Sequence, residues 1–164
     1  MLPLHINLSG KQVVIAGGGR IAARRLRTVL DEGASVTVVS PEVSAAMLEL
    51  IEKHRICWKR KKAEPEDAED AFLVILATDD PETNKRIADS ARDRQLVNVA
   101  SEAERGNVYV PKIIKKGNIT ISVSTNGASP GHAIELAGRI DGLVDDQLVR
   151  EIDELFRKRR GPNR

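Results

Sequence analysis

The stretch from Lys11 to Pro41 constrains this chain more than any other. It opens with the apolar run Val13-Val14-Ile15-Ala16, which reads as a parallel strand buried on both faces. Gly17-x-Gly19-x-x-Ala22 follows at once, with Gly18 between the two glycines. That spacing supplies a tight turn, a close backbone approach and a small residue for helix–strand packing, the fingerprint of a dinucleotide-binding βαβ unit. Ala22, Leu26, Val29 and Leu30 then lie on one helical stripe, while Arg20, Arg24, Arg25 and Arg27 lie mostly off it. Gly33 suits a left-handed helix end, and Val36-Thr37-Val38-Val39 reads as the second strand. Such a helix aims its free N–H groups at a pyrophosphate. The alternative is a glycine turn that only packs a helix on a sheet.

One part of the fingerprint departs from the usual pattern. Ser40, followed by Pro41 and Glu42, stands where an acid ordinarily takes the ribose hydroxyls. No Asp favours NAD there and no Arg favours NADP, so the chemistry alone leaves that choice open. Ser40 is also expected to cap the next helix, with Pro41 in its first turn.

The remaining chain extends the same unit. Val43, Ala46, Met47, Leu50 and Ile51 form a helix face, and Ile56-Cys57-Trp58 begins a third strand that runs into Lys59-Arg60-Lys61-Lys62. Glu64 to Asp70 offsets that basic run as an acidic turn. Phe72 to Ala77 reads as a central strand ending in Thr78-Asp79-Asp80-Pro81, followed by a helix to about Asp93 and a strand over Leu96 to Ala100. The Gly17 loop, Ser40 and Thr78 would then share one crevice at the carboxyl ends of the strands. Asn98 is an unusual choice for packing alone; it either faces the cofactor or caps a turn.

From Asn107 the pattern changes. Val108 to Pro111 reads as a short strand, Lys112 to Gly117 as a basic turn, and Asn118 to Ser124 alternates as an antiparallel strand. Ser129-Pro130 starts a helical pattern that Gly138 and Gly142 interrupt, and Leu148, Ile152, Leu155 and Phe156 resume it. Arg157 to Gly161 begins a basic, disordered tail. At the other end, Leu2, Leu4, Ile6 and Leu8 alternate as a half-buried strand or arm beside a surface His5.

Composition narrows the function class. The 164 residues carry 26 Lys and Arg against 24 Asp and Glu, and only four aromatic residues, which argues against nucleic acid as a partner. The single Cys57 excludes a disulfide framework and a cysteine metal site, and is expected to be inert. No apolar run has membrane-spanning length and no leader pattern opens the chain, so a cytoplasmic location without membrane association is expected.

Leu2-Pro3-Leu4, the Gly17–Ala22 loop, Val36-Thr37-Val38-Val39-x-Pro41, Ala77-Thr78-Asp79-Asp80, Asn98-Val99, Pro111 and Ser124-Thr125-x-Gly127-Ala128-Ser129-Pro130 occur in an order and spacing that resembles the precorrin-2 dehydrogenases. These are the siroheme-synthase N-terminal modules and their stand-alone relatives. The likeness covers roughly residues 1 to 140. It implies an α/β, Rossmann-like parallel sheet with a glycine-rich NAD loop over 1–111, a small α+β dimerisation region over 112–142, and a short helical C-terminal region with a basic tail over 143–164. It implies NAD-dependent oxidation of precorrin-2 to sirohydrochlorin for siroheme by a homodimer; some relatives also insert Fe²⁺, and others are fused to a methyltransferase for which this chain ends too early.

The resemblance implies cofactor contacts at Gly17, Gly18, Gly19, Arg20, Ile21, Ala22, Ser40, Pro41, Glu42, Ala77, Thr78, Asp79, Asn98 and Val99. The chemistry falls to Ser101, Glu102, Ser124 and His132, with no resident metal. Family members commonly carry an aspartate where Ser101 stands, and a serine neither takes a proton nor holds Fe²⁺ as a carboxylate does. That departure weighs against the ferrochelatase alternative. Lys112, Lys115, Lys116 and Arg139 are candidates to pair with the eight carboxylates of the tetrapyrrole. A non-catalytic NAD-sensing domain is the other alternative; such domains usually carry an acid at the Ser40 position and lack the Ser124–Pro130 loop.

Overall fold

The computed structural model describes residues 1–161. The chain divides into two compact units, Met1–Tyr109 and a second from Val110 onward.

The first unit is built on β1 (Gln12–Ala16), β2 (Ser35–Val39), β3 (Cys57–Lys59), β4 (Leu73–Leu76) and β5 (Leu96–Val99). They form a five-stranded parallel sheet in the order β3-β2-β1-β4-β5. The strand order reverses between β1 and β4, which opens a crevice at their carboxyl ends. Helices α1 (Arg20–Leu30), α2 (Ala45–His54) and α3 (Pro81–Asp89) cover the sheet. Ala22, Ala23, Leu26 and Val29 of α1 are buried against Val13, Ile15, Val38, Met47 and Ile75 on one face. Val14, Ala16, Val39, Val74, Leu76, Ile87, Val97 and Val99 form the core on the other. Leu26 is fully buried, so truncating it to alanine costs about 2–5 kcal/mol. Gly33 has φ +73° and ends α1 as expected, its N–H donating to the Leu30 carbonyl at 2.9 Å.

Helix α2 corrects one expectation. It starts at Ala45, with Ser44 as its cap, so Ser40 caps nothing and Pro41 and Val43 precede the helix. Helix α3 also stops short of the expected end, at Asp89. The amino-terminal alternation makes no strand: Leu2, Leu4 and Ile6 are exposed and only Leu8 packs into the core, because no neighbouring strand takes up the pairing. The segment Val108 to Pro111 is likewise no strand. Instead Asn107 mimics one, its Oδ1 accepting from the Val97 N–H at 2.7 Å and its Nδ2 donating to the Gln95 carbonyl at 2.8 Å.

The second unit is a hairpin of β6 (Lys112–Lys116) and β7 (Ile119–Val123), with α4 (Pro130–Asp141) and α5 (Asp146–Arg160). The expected basic turn at Lys112 is therefore a strand, paired antiparallel from Lys112↔Val123 to Lys116↔Ile119. Gly117 at φ +55° and Asn118 make its two-residue loop, where a glycine accepts the backbone that the hairpin twist requires. Ile114, Val123, Ala133 and Ala137 form its core. Gly138 does not interrupt α4, and α5 continues through the basic residues to Arg160, so the expected tail is helical to that point; its remainder, 162–164, lies outside the described residues. Asp153 anchors α5 by accepting from the backbone N–H and Nδ2 of Asn118 at 2.9 and 2.6 Å.

Candidate cofactor cleft at the carboxyl ends of the strands

A cleft of about 740 Å³ sits where β1, β2 and β4 end. It is lined by Gly17, Gly18, Gly19, Ser40, Pro41, Glu42, Ala77, Thr78 and Asp79, which sequence reasoning had grouped, and by Val39, Lys62, Ala63, Asp80, Pro81 and Thr83, which it had not. The three glycines are glycine for different reasons. Gly17 has φ +117°, and a Cβ there would stand 2.3 Å from the Ala77 carbonyl oxygen. A Cβ on Gly18 would stand 2.0 Å from the Glu42 carbonyl oxygen, because the β2–α2 loop rests on the glycine loop; the Ser44 N–H donates to the Gly18 carbonyl at 2.8 Å. Gly19 is different. Its backbone is ordinary, with φ −80° and ψ −172°, and a Cβ would meet nothing within 4 Å.

Gly19 is also the N-cap of α1, and it offers no side-chain acceptor. Ser44, Asp80, Ser129 and Asp145 cap the other four helices with side-chain oxygens. The start of α1 thus presents uncapped N–H groups and the positive end of the helix dipole beside open space in the cleft. These residues fit the pyrophosphate of a dinucleotide: the partner that the helix end lacks is an anion, and the missing Cβ leaves room for it.

The other lining groups are held by the fold. The Ser40 hydroxyl donates to the Glu42 carbonyl at 2.6 Å, and the Ser40 carbonyl accepts from the Trp58 indole at 2.9 Å. The Thr78 hydroxyl is tied to Asn84 Oδ1 at 2.7 Å and to the backbone of Asp80, which locks the β4–α3 turn. Hydrogen bonds from the Thr83 hydroxyl and N–H, and from the Glu82 N–H, hold the Asp80 carboxyl below its ordinary value. Asp79 is exposed.

The remaining expected residues lie elsewhere. Arg20 and Ile21 are exposed on the first turn of α1, and Ala22 is buried beneath them. Asn98 and Val99 are buried in β5; Asn98 Nδ2 donates to the Val108 carbonyl at 3.0 Å, while its Oδ1 has no hydrogen-bond partner among the described residues. Ser101 and Glu102 are exposed beyond β5, and the Glu102 carboxylate is ion-paired with Arg105. Ser124 and His132 belong to the second unit. There the Ser129 Oγ accepts from the His132 N–H at 3.3 Å and lies 2.7 Å from its Nδ1. Lys116 is engaged with the end of α4, donating to the Asp141 and Val144 carbonyls at 2.7 and 2.8 Å. Among the described residues no group of three or more His, Cys, Asp or Glu is placed to hold a metal ion, and no helix is long and apolar enough to cross a membrane.

Of the lining residues missed in sequence, Asp80-Pro81 carried a readable cap-and-proline signal. Lys62 and Thr83 carried none, since strand pairing and helix docking bring them to the cleft.

Comparison with known proteins agrees with this geometry. A family described as NAD(P)-binding matches residues 4–112. Precorrin-2 dehydrogenase of Bacillus subtilis is 54% identical over 98% of this chain and 99% of its own length. Precorrin-2 dehydrogenase of Priestia megaterium is 40% identical over 79% of the chain and 64% of its own length, and the siroheme synthase of Xylella fastidiosa is 34% identical over 98% of the chain and 34% of its own. Among solved structures, SirC, a precorrin-2 dehydrogenase, superposes with a TM-score of 0.82 at 35% identity, covering 95% of this chain and 77% of that one. With a near-full-length relative at this identity and a matching fold, the chain belongs to the precorrin-2 dehydrogenase family.

Proposed function

We propose that this chain oxidises precorrin-2 to sirohydrochlorin, with NAD as the electron acceptor, in the supply of siroheme. The observation that carries the reading is the near-full-length identity of 54% to a precorrin-2 dehydrogenase. The uncapped α1 terminus over Gly19 supports it independently, as a place for the cofactor pyrophosphate.

The reaction removes one hydride and one proton from the tetrapyrrole, and the gain in conjugation drives it. NAD supplies the hydride acceptor when bound. The protein's part is mainly to hold the reacting partners in reach. In this reading Gly17 to Ala22 hold the pyrophosphate, Ser40, Pro41 and Glu42 border the adenosine side, and Ala77, Thr78 and Asp79, with Asn98 and Val99, border the nicotinamide side. Ser101 is a poor base at neutral pH, and Glu102 is held by Arg105. His132 is the better proton acceptor on chemical grounds, being exposed and oriented by Ser129, with Ser124 in the same loop region. Lys112, Lys115 and Arg139 are candidates to meet substrate carboxylates, whereas Lys116 is occupied within its own unit.

The same reading assigns 1–111 to cofactor binding, 112–142 to dimerisation and 143–164 to a C-terminal region of a homodimer acting in the cytoplasm. The test is anaerobic incubation with precorrin-2 and NAD, following NADH and the sirohydrochlorin spectrum. Ser101→Ala is expected to keep most of the rate, because alignment rather than a base at that position limits the reaction. Absence of NADH formation by the natural chain would overturn the function. Loss in Ser101→Ala with NAD binding intact would assign the hydroxyl a direct part.

A further inference from the structure

We propose that Trp58 is a positioning residue for the dinucleotide: its indole N–H takes over a ladder bond that β3 gives up, and so fixes the loop that carries Glu42 at the adenosine end of the cleft. The inference rests on the cofactor reading above and adds a residue to it. In a parallel pair the hydrogen bonds follow one another at even spacing along the ladder. The Ser40 N–H donates to the Lys59 carbonyl at 3.1 Å, so the next bond would run from the Lys61 N–H to the Ser40 carbonyl. The chain turns after Lys59 instead, and the Lys61 N–H donates back to the Lys59 carbonyl at 3.0 Å. The Trp58 indole fills the place, donating to the Ser40 carbonyl at 2.9 Å. Its ring packs against the core that contains Leu26, Met47 and Leu50, and the Arg60 guanidinium lies 4.2 Å from its centroid. The donor is therefore held by packing, without any backbone partner of its own strand.

From Ser40 the hold passes along the 40–44 loop. The buried Ser40 donates its hydroxyl to the Glu42 carbonyl at 2.6 Å, across Pro41, which has no N–H to offer. The Glu42 carbonyl rests where Gly18 lacks a Cβ, and the Ser44 N–H donates to the Gly18 carbonyl at 2.8 Å. Ser40, Pro41 and Glu42 line the cleft; Trp58 is not among the described lining residues and acts through them. A buried carbonyl deprived of its donor carries a desolvation penalty, which the loop relieves by moving toward water and taking Glu42 with it.

The test is Trp58→Phe in the full chain, which keeps a ring for packing and removes the N–H. Titration calorimetry with NADH and ADP-ribose and steady-state kinetics with precorrin-2 compare it with the natural protein, and thermal melts check its fold. Both affinities are expected to fall about fivefold, the loss of one hydrogen bond. The KM for NAD should rise by a similar factor while kcat stays within about twofold, because the nicotinamide side is untouched. A second measurement needs no variant and decides the matter even if Trp58→Phe does not fold. Trp58 is the one tryptophan of the chain, so it gives a single indole N–H signal in a nitrogen-edited NMR spectrum. Saturating ADP-ribose should shift that signal, since the loop it holds borders the ligand. An unmoved indole signal, unchanged affinities in a folded Trp58→Phe protein, or a fall in kcat with KM unchanged each overturn the inference and leave the cofactor reading standing. No binding of NADH by the natural chain overturns both.

Discussion

Three adjacent glycines separate what the fold needs from what the ligand needs. Gly17 and Gly18 have no room for a Cβ, because Ala77 and Glu42 carbonyls occupy it, whereas Gly19 has open space and an ordinary backbone. Their substitutions should therefore fail in different ways. Gly18→Ala should lose roughly 3 kcal/mol, since backbone must move to clear the overlap. Gly19→Asp should leave the melting temperature unchanged or slightly higher, because an aspartate is a good N-cap for a helix that lacks one. It should nevertheless abolish NAD binding by placing a negative charge where the pyrophosphate goes. Thermal melts and an NADH fluorescence titration on the two variants check both halves. A folded Gly19→Asp protein with unchanged NADH affinity would remove the glycine loop from the cofactor site.

The acidic turn after β3 shows how a short element holds a charged strand end. The 3₁₀ turn Pro65–Ala68 is closed by a capping box, the Glu64 N–H donating to Asp67 at 3.1 Å. Asp67 also takes the ammonium groups of Lys59 and Lys61. Partial burial of Asp67 acts to raise its pKa, but the bonds from Lys61, Lys59 and the Glu64 N–H together hold it below its ordinary 3.8. A carboxyl held low in the folded state stabilises the fold fully above its unfolded value. That contribution disappears as the pH falls through the lower folded value. Asp67→Asn should thus lower stability by about 1 kcal/mol at pH 7. The difference from the natural chain should close at a pH below the folded-state value, where the carboxyl is protonated in both states. Melting curves at the two pH values decide it, and a gap that persists in acid would mean that the side chain acts by packing instead.

At the scale of the whole molecule, the second unit leaves much of its apolar surface uncovered. Leu143 is 78% and Leu155 60% exposed, and Ile134, Leu136, Leu148 and Phe156 are exposed beside them in sequence. Exposed apolar surface of this kind on two helices calls for a partner. A homodimer is expected at micromolar concentration by light scattering, and Leu155→Asp should shift it toward monomer without unfolding the cofactor-binding unit. A monomeric natural chain would rule this out. Of the apolar residues of β7, Val123 is buried in its own core beside Ile114 and Ala133, which leaves Ile119 and Ile121 as the half-buried positions.

Local pattern determined most of the first unit. The run Val13 to Ala16, the glycine loop and the α1 stripe were readable because each depends on residues adjacent in sequence: a strand period, a turn geometry and a helix period. The β4 run and the Ser129–Pro130 helix start were readable for the same reason. Tertiary structure decided the rest. Lys112 to Lys116 became a strand only because Ile119 to Val123 could pair with it, and the amino-terminal alternation stayed unpaired because no strand edge received it. Ser40 looked like a cap until the β2–α2 loop folded over Gly18 and moved that role to Ser44. Lys62 was one of four successive basic residues until strand order placed it in the lining of the cleft. Which of several equivalent side chains reaches the cleft is settled by which strands lie side by side, and that is a property of the packed chain rather than of its order.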